Sequence, residues 1–217
     1  MQPPITLEAA DRDGAIAEAY DGYTRAQALR LAALGAVGVT GLKAIDPLPA
    51  GAASNVDVDL PILQFALVLE RLGVAFYGEA VRRGKLHGET LRFARTVHRD
   101  EVDHVAFVEG AIRSLGSEPK APPRFEFGGV TKHPHRFRTA AAALEELCVE
   151  ALNGAGPLVS QPVLAGAGML VSVEARHVSW IQNIRGANPV PSPFDTPATA
   201  AQAKRRAKAT GFIKGKI

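Results

Sequence analysis

Four glutamates and two histidines stand where helical periodicity would bury them. Glu70 has Ala66 and Leu67 one turn before it and Gly73 and Val74 one turn after. Glu101 has Val97 and Val105 as its i−4 and i+4 neighbours and His104 at i+3. Glu145 falls with Ala141, Cys148, Val149 and Leu152. Glu174 falls with Leu170, Val171 and Val178, again with a histidine, His177, at i+3. Residues three and four apart share one face of a helix. Four apolar faces therefore each carry a carboxylate, and two also carry an imidazole.

Unpaired charge on a buried face costs several kcal/mol, so such groups shift pKa, pair or bind a metal. No Arg or Lys lies on these stripes, whereas two divalent ions would cancel the four carboxylates. In Glu-x-x-His the two side chains point the same way, so both can reach the same or adjacent ions. One such motif is weak evidence, because solvated helical pairs are far commoner. The full order is stronger: Glu70, then Glu101 with His104, then Glu145, then Glu174 with His177. The spacing nearly repeats, with Glu101 31 residues after Glu70 and Glu174 29 after Glu145. That is the pattern of two helix hairpins related by an internal two-fold. Carboxylate-rich, imidazole-poor ligation suits iron or manganese better than zinc or copper(I). Two such metals bridged by carboxylates point to oxidation of ferrous iron by O2 or peroxide.

Those residues need four helices to carry them. Helical spacing predicts helices over residues 60–84, 88–115, 136–153 and 159–185. Asp59 is placed to cap the first, with Pro61 in its first turn. Gly116 and Gly186 are stop signals. Residues 117–134 hold too many prolines and glycines for a helix and read as a long crossing loop. No strand is expected. The fold class is all-α, a four-helix bundle with one long crossover between helices 2 and 3. Residues 188–217 read as a Pro-rich extended tail followed by a basic segment with Lys204, Arg205, Arg206, Lys208, Lys214 and Lys216.

The remainder of the chain sets bounds. Its 217 residues suffice for one cored domain with an appendage, and 47% hydrophobic with 22% charged residues is ordinary globular composition. The single cysteine, Cys148, excludes an intrachain disulfide. A net charge of +3 is too small to argue for nucleic acid, and no phosphate loop, dinucleotide fingerprint or Gly-x-Ser-x-Gly elbow is present. No apolar run reaches the ~18 residues of a membrane span. Residues 1–53 form a separate segment: acidic, then Arg25 and Arg30, then an apolar stretch over 31–42, then Pro49, Ala50, Gly51 and Ala52. Two readings fit it. One is an export leader, resembling a degenerate twin-arginine signal in which Ala26 replaces the second arginine. The other is an amphipathic helix packed on the domain. The first implies the periplasm or cell envelope, the second the cytoplasm.

The chain resembles the ferritin-like superfamily, and within it the bacterial ferritin-like domain family that includes plant desiccation-related proteins. The matching stretches are 63–77 (LQFALVLERLGVAFY), 97–108 (VHRDEVDHVAFV), 144–157 (LEELCVEALNGAGP) and 170–186 (LVSVEARHVSWIQNIRG), with the Pro-rich run ending in Phe194 and Asp195. The resemblance covers about residues 56–213 and implies a ferritin-like bundle over 54–187. It implies two iron ions (or manganese), with Glu70 and Glu145 as terminal ligands. Glu101 and Glu174 would bridge, and His104 and His177 would each hold one metal. The sequence departs from the family at Gly73, often an acid, and at Leu152, often a tyrosine. The implied roles are a ferroxidase or di-iron oxidase in oxidative or drying stress, with ferrous iron and O2 or peroxide as partners and room for a homo-oligomer. The competing reading is a non-catalytic stress-associated bundle with a structural metal or none.

Nearby polar residues have plainer readings. Tyr77 reads as a core aromatic ahead of a hydrogen-bond donor near the site. Cys148 and Trp180 read as packing, and His98, His87, His133 and His135 as ordinary polar positions. Glu146 and Glu150 compete with Glu145 for the third helix, but Glu150 shares its turn with Glu146 and Asn153 on an expected solvent face.

Overall fold

The computed structural model describes residues 55–215 and 217. The two readings of residues 1–53 therefore lie outside the described residues. Four long helices carry the domain: α1 (Val56–Arg83), α2 (Gly88–Ser114), α3 (Pro134–Ala155) and α4 (Gln161–Ile184). Helices α1 and α2 form one hairpin and α3 and α4 the other, and the hairpins meet through α1 against α3 and α2 against α4. This is the expected bundle, with its long crossover between the second and third helices.

The helix ends follow local chemistry. Asp57 and Asp59 lie in the first turn of α1 and Arg82 and Arg83 in its last, complementing the helix dipole. After α2, Gly116 takes φ 76°, the Gly116 amide donates to the Arg113 carbonyl and the Ser117 amide to the Ile112 carbonyl. Gly186, at φ 72°, closes α4 with the same pair of bonds, to Asn183 and, through Ala187, to Gln182. A residue with a Cβ would be strained at either position.

One expected cap is wrong. Helix α1 starts at Val56 after Asn55, so Asp59 lies inside it rather than capping it. The fully buried Asp59 carboxylate instead accepts from the Ser160 amide (2.9 Å) and the Ser160 hydroxyl (2.6 Å). Ser160 is the residue before α4. Asp59 thus ties the first helix to the start of the fourth, a long-range bond that local spacing cannot show. The length and composition of α1 also bear on the question of membrane spans. By length and composition alone α1 is long and apolar enough to cross a membrane, with a mean hydropathy of 1.5 over its best window, but half of that window is buried in the bundle. Its packing against α2 and α3 is that of a core helix.

The C-terminal segment departs further from expectation. Residues Ala200–Ala209 form a fifth helix, α5, which packs on α3. Thr199 and Gln202 form a reciprocal capping box at its start. Its contact face is made of small residues, Ala203 and Ala207, both buried. Beyond it, Ile213–Lys214 (β2) pairs antiparallel with Arg124–Phe125 (β1) of the crossover. No strand was expected, because a two-residue ladder leaves no periodicity to read. The approach to α5 is close: the Ala198 amide donates to the Glu150 carbonyl (2.8 Å), and a Cβ at Gly154 would lie 1.8 Å from the Ala198 carbonyl oxygen.

The core has two apolar clusters. One is rich in aromatics: Phe76 stacks on Phe137 (centroids 5.3 Å apart) and meets Tyr77 and Phe127 edge-on. The other holds Leu63, Leu67, Val108, Ile112, Val163 and Leu170. Along α2 and α4, Glu101, His104, Glu174 and His177 lie between the positions feeding these two clusters.

Replacing Gly154 with Ala forces the 197–199 segment off α3. We expect a loss of about 1–3 kcal/mol from overpacking, read as a lower urea midpoint with unchanged slope. An unchanged midpoint would mean that the close approach is absent.

Candidate metal centre

All six residues come together. Relative exposure is 0–1% for Glu174, Glu70, Glu101 and Glu145, 4% for His177 and 8% for His104. Ligand atoms of Glu70, Glu101, His104 and Glu174 lie within 4.8 Å of one another, and so do those of Glu101, Glu145, Glu174 and His177. The two groups share Glu101 and Glu174. The two imidazole rings lie 6.2 Å apart, centroid to centroid, with 28° between their planes.

The contacts inside the cluster are close but poorly satisfied. His104 Nδ1 is 2.8 Å from Glu174 Oε1 and 3.4 Å from Glu70 Oε2. Those separations suit hydrogen bonds, yet the directions do not, and neither nitrogen nor oxygen has a hydrogen-bond partner. Glu101 Oε2 and Glu174 Oε2 are likewise buried without one. Orphaned buried polar atoms are costly and rare. Here they converge from three helices, α1, α2 and α4, which fits a divalent cation among them. His177 is held from both sides: its Nδ1 faces the cluster and contacts Glu145 Oε2 (3.0 Å), and its outward Nε2 contacts Asp100 Oδ2 (3.3 Å). A carboxylate on the far nitrogen is the usual support for a metal-binding histidine.

Asp100 was not singled out from sequence. It precedes Glu101 and reaches His177 on another helix, so only the fold pairs them. Tyr77 is both fully buried and a donor, through its hydroxyl, to Glu145 Oε1. The core reading and the hydrogen-bond reading of that residue therefore both hold. On α3, Glu145 turns inward while Glu146 accepts from Gln182 Nε2 (2.5 Å). Glu150 is not on a solvent face as expected: α5 covers it and Arg206 pairs with it. Cys148 is buried, which pushes its thiol up and leaves it a packing residue. Trp180 meets Phe93 edge-on and donates to Glu89 Oε1 (2.7 Å), and His98 lies beside Gly78, outside the cluster.

Gly73 has a specific role here. A Cβ at that position would lie 2.8 Å from both Cδ and Oε2 of Glu101, so the missing side chain is the room that the Glu101 carboxylate occupies. Access from outside runs past the imidazoles. A cleft of about 420 Å³ is lined by His104 and His177 with Asp100, Asp103, Arg176 and Trp180 among others.

The electrostatics of the metal-free cluster follow from burial and crowding. Burial pushes Glu101 well above the carboxylate range, and Glu174, Glu70 and Glu145 push it further. Burial also raises Glu145, which His177 only partly offsets, leaving it at about 7. Burial would raise Glu174 too, but His104 and His177 outweigh it and hold it at about 2. Burial would lower both histidines, but the surrounding carboxylates win, holding His104 at about 10 and His177 at about 12. Without metal, protons supply the positive charge that the cluster needs.

A family model described as a ferritin-like domain matches residues 58–187. The chain belongs to the ferritin-like domain family. A solved two-domain protein from Anabaena variabilis, containing DJ-1/ThiJ/PfpI-like and ferritin-like domains, matches with a TM-score of 0.51 and 14% identity. The match covers 80% of this chain and 53% of that one, so it speaks to the fold alone. None of the curated proteins searched matches. The ferritin-like bundle expected from the six residues and their helices is thus shown, and its buried Glu and His groups suit a metal site.

Two outcomes check this geometry. In chelated protein, Glu145 carries a folded pKa of about 7 against an ordinary 4.5, and His104 about 10 against 6.5. Both bind protons more tightly folded than unfolded, so stability falls as pH rises through these intervals. The unfolding midpoint of chelated protein should drop between pH 5 and pH 8; a constant or rising midpoint would contradict the cluster. Gly73→Ala should displace Glu101 and weaken divalent-ion affinity by about 10- to 100-fold. Its helix should fold as well as before, since Ala is the better helix former. Unchanged affinity by calorimetry would show that Glu101 has room to spare.

Proposed function

We propose that this ferritin-like bundle holds two divalent ions, iron or else manganese, and oxidises ferrous iron with O2 or peroxide in stress protection. The observation that carries the reading is the pair of overlapping ligand groups that share Glu101 and Glu174. Glu70 and His104 would serve one ion and Glu145 and His177 the other, with the two shared carboxylates between them. Iron bound there would supply the electron transfer to O2 or peroxide.

The chain's own residues supply the rest. Asp100 fixes His177 from outside, and the Tyr77 hydroxyl fixes Glu145 from within. Asp100 and Asp103 at the cleft put acidic charge where a ferrous ion would enter. The histidines, held at about 10 and about 12 by the surrounding carboxylates in the metal-free cluster, must release their protons as ions bind. The role in oxidative or drying stress rests on the sequence resemblance described above.

Metal analysis of the purified chain after ferrous loading should give two ions per chain, with O2 uptake and proton release during loading. Glu101→Ala removes a shared ligand, so it should leave fewer than one ion per chain and cut uptake by about tenfold or more. Full metal content without O2 or peroxide consumption would favour a structural centre that only ties the helices together. Absence of metal in the wild-type chain would defeat the di-metal reading and leave the non-catalytic bundle without a metal.

A further inference from the structure

The cluster has a second approach of opposite character. An apolar pocket of about 120 Å³ runs between α1, α3 and α5 and reaches Glu70. Its walls include Phe65, Ala66, Leu69 and Leu152, and its only charged members are Glu70 and Lys204. Glu70 is 1% exposed and forms the inner end, its Oε2 turned toward His104 in the cluster. Lys204 is part-exposed at the outer end, its ammonium 5.4 Å from the centre of the Phe65 ring. Among the described residues no carboxylate pairs with Lys204. Phe65 and Glu70 are five residues apart on α1, a rise of about 7.5 Å. Dry apolar pockets of comparable size, ~150 Å³, take up small hydrocarbons rather than water.

We propose that this pocket binds a short aliphatic monocarboxylate, with its head on Lys204 and its chain directed at Glu70. Charge complementarity supports this occupant: one cation, Lys204, stands at the mouth with an apolar wall behind it that leads to Glu70. Lys204 attracts an anionic head at the mouth and the apolar wall takes the chain, which fixes the orientation. A chain spanning from Phe65 to Glu70 is about six carbons long. The pocket would thus bring an alkyl terminus to the cluster along a path separate from the polar cleft lined by His104 and His177. The inference deepens the proposed function by naming an organic ligand class for the same site, and it rests on that reading for its purpose.

The test titrates the full chain, loaded with manganese, with hexanoate and with 1-hexanol by calorimetry, while the manganese electron paramagnetic resonance spectrum is recorded. Hexanoate should bind about tenfold more tightly than 1-hexanol and perturb the manganese signal. Lys204→Met should remove that tenfold preference, and Ala66→Phe, which fills the pocket, should abolish binding of both. Both variants should retain wild-type metal content, because neither residue is in the cluster. If Ala66→Phe does not fold, Lys204→Met alone decides the head-group assignment. No hexanoate binding by the wild type, or binding indifferent to both variants, overturns the proposal. So does a wild-type dimer that sediments as monomer after Ala66→Phe, since the pocket would then belong to a second copy. If the wild type takes up no manganese, the di-metal reading falls, and the same titrations on metal-free protein still decide the pocket.

Discussion

Four carboxylates held within a few ångströms of one another, away from water, cannot all be ionised without positive charge among them. The rest of the bundle is organised around that constraint. Glu70, Glu101, Glu145 and Glu174 come one from each long helix, so the cluster exists only when all four helices are in register. A carboxylate left alone in such surroundings would cost several kcal/mol. The protein lowers that cost in the metal-free state by protonation, with the carboxylates raising His104 and His177 and burial raising Glu101. The same groups become ligands once protons give way to divalent ions. Folding and metal uptake thus act on one set of residues.

The surroundings divide their work. Tyr77 and Asp100 hold Glu145 and His177 in place, Gly73 leaves the volume that Glu101 fills, and apolar clusters flank the site along the helices. Close packing makes this arrangement intolerant of small changes, since a single added methyl at Gly73 meets the shared carboxylate. Two routes reach the centre, one lined by imidazoles and aspartates and one by aliphatic and aromatic carbon. An ion and an apolar molecule would therefore not compete for the same entrance.

Much of this was legible in the sequence because the signals are local. An acid with apolar neighbours at i±3 and i±4 marks a buried face, and a histidine at i+3 shares it. Four such segments with glycine stops at Gly116 and Gly186 define the helices and their order. What escaped is what depends on distant partners. Asp59 looked like a cap because it stands before Pro61, but its partner is Ser160, 101 residues away. Helix α5 escaped because its contact face is only Ala203 and Ala207 among basic residues, which reads as a solvated segment. Glu150 looked exposed for the same reason, since the element that covers it had not been recognised. Asp100 could not be connected to His177 until α2 and α4 were placed side by side.

The central claim is that Glu101 and Glu174 stand between two metal positions. Anomalous diffraction at the manganese or iron edge, from crystals of the loaded chain, tests it most directly. The account predicts two peaks inside the bundle, one beside Glu70 and His104 and the other beside Glu145 and His177, with Glu101 and Glu174 in contact with both. A bundle interior without peaks, or peaks confined to surface carboxylates while the six side chains stay bonded to one another, would contradict it.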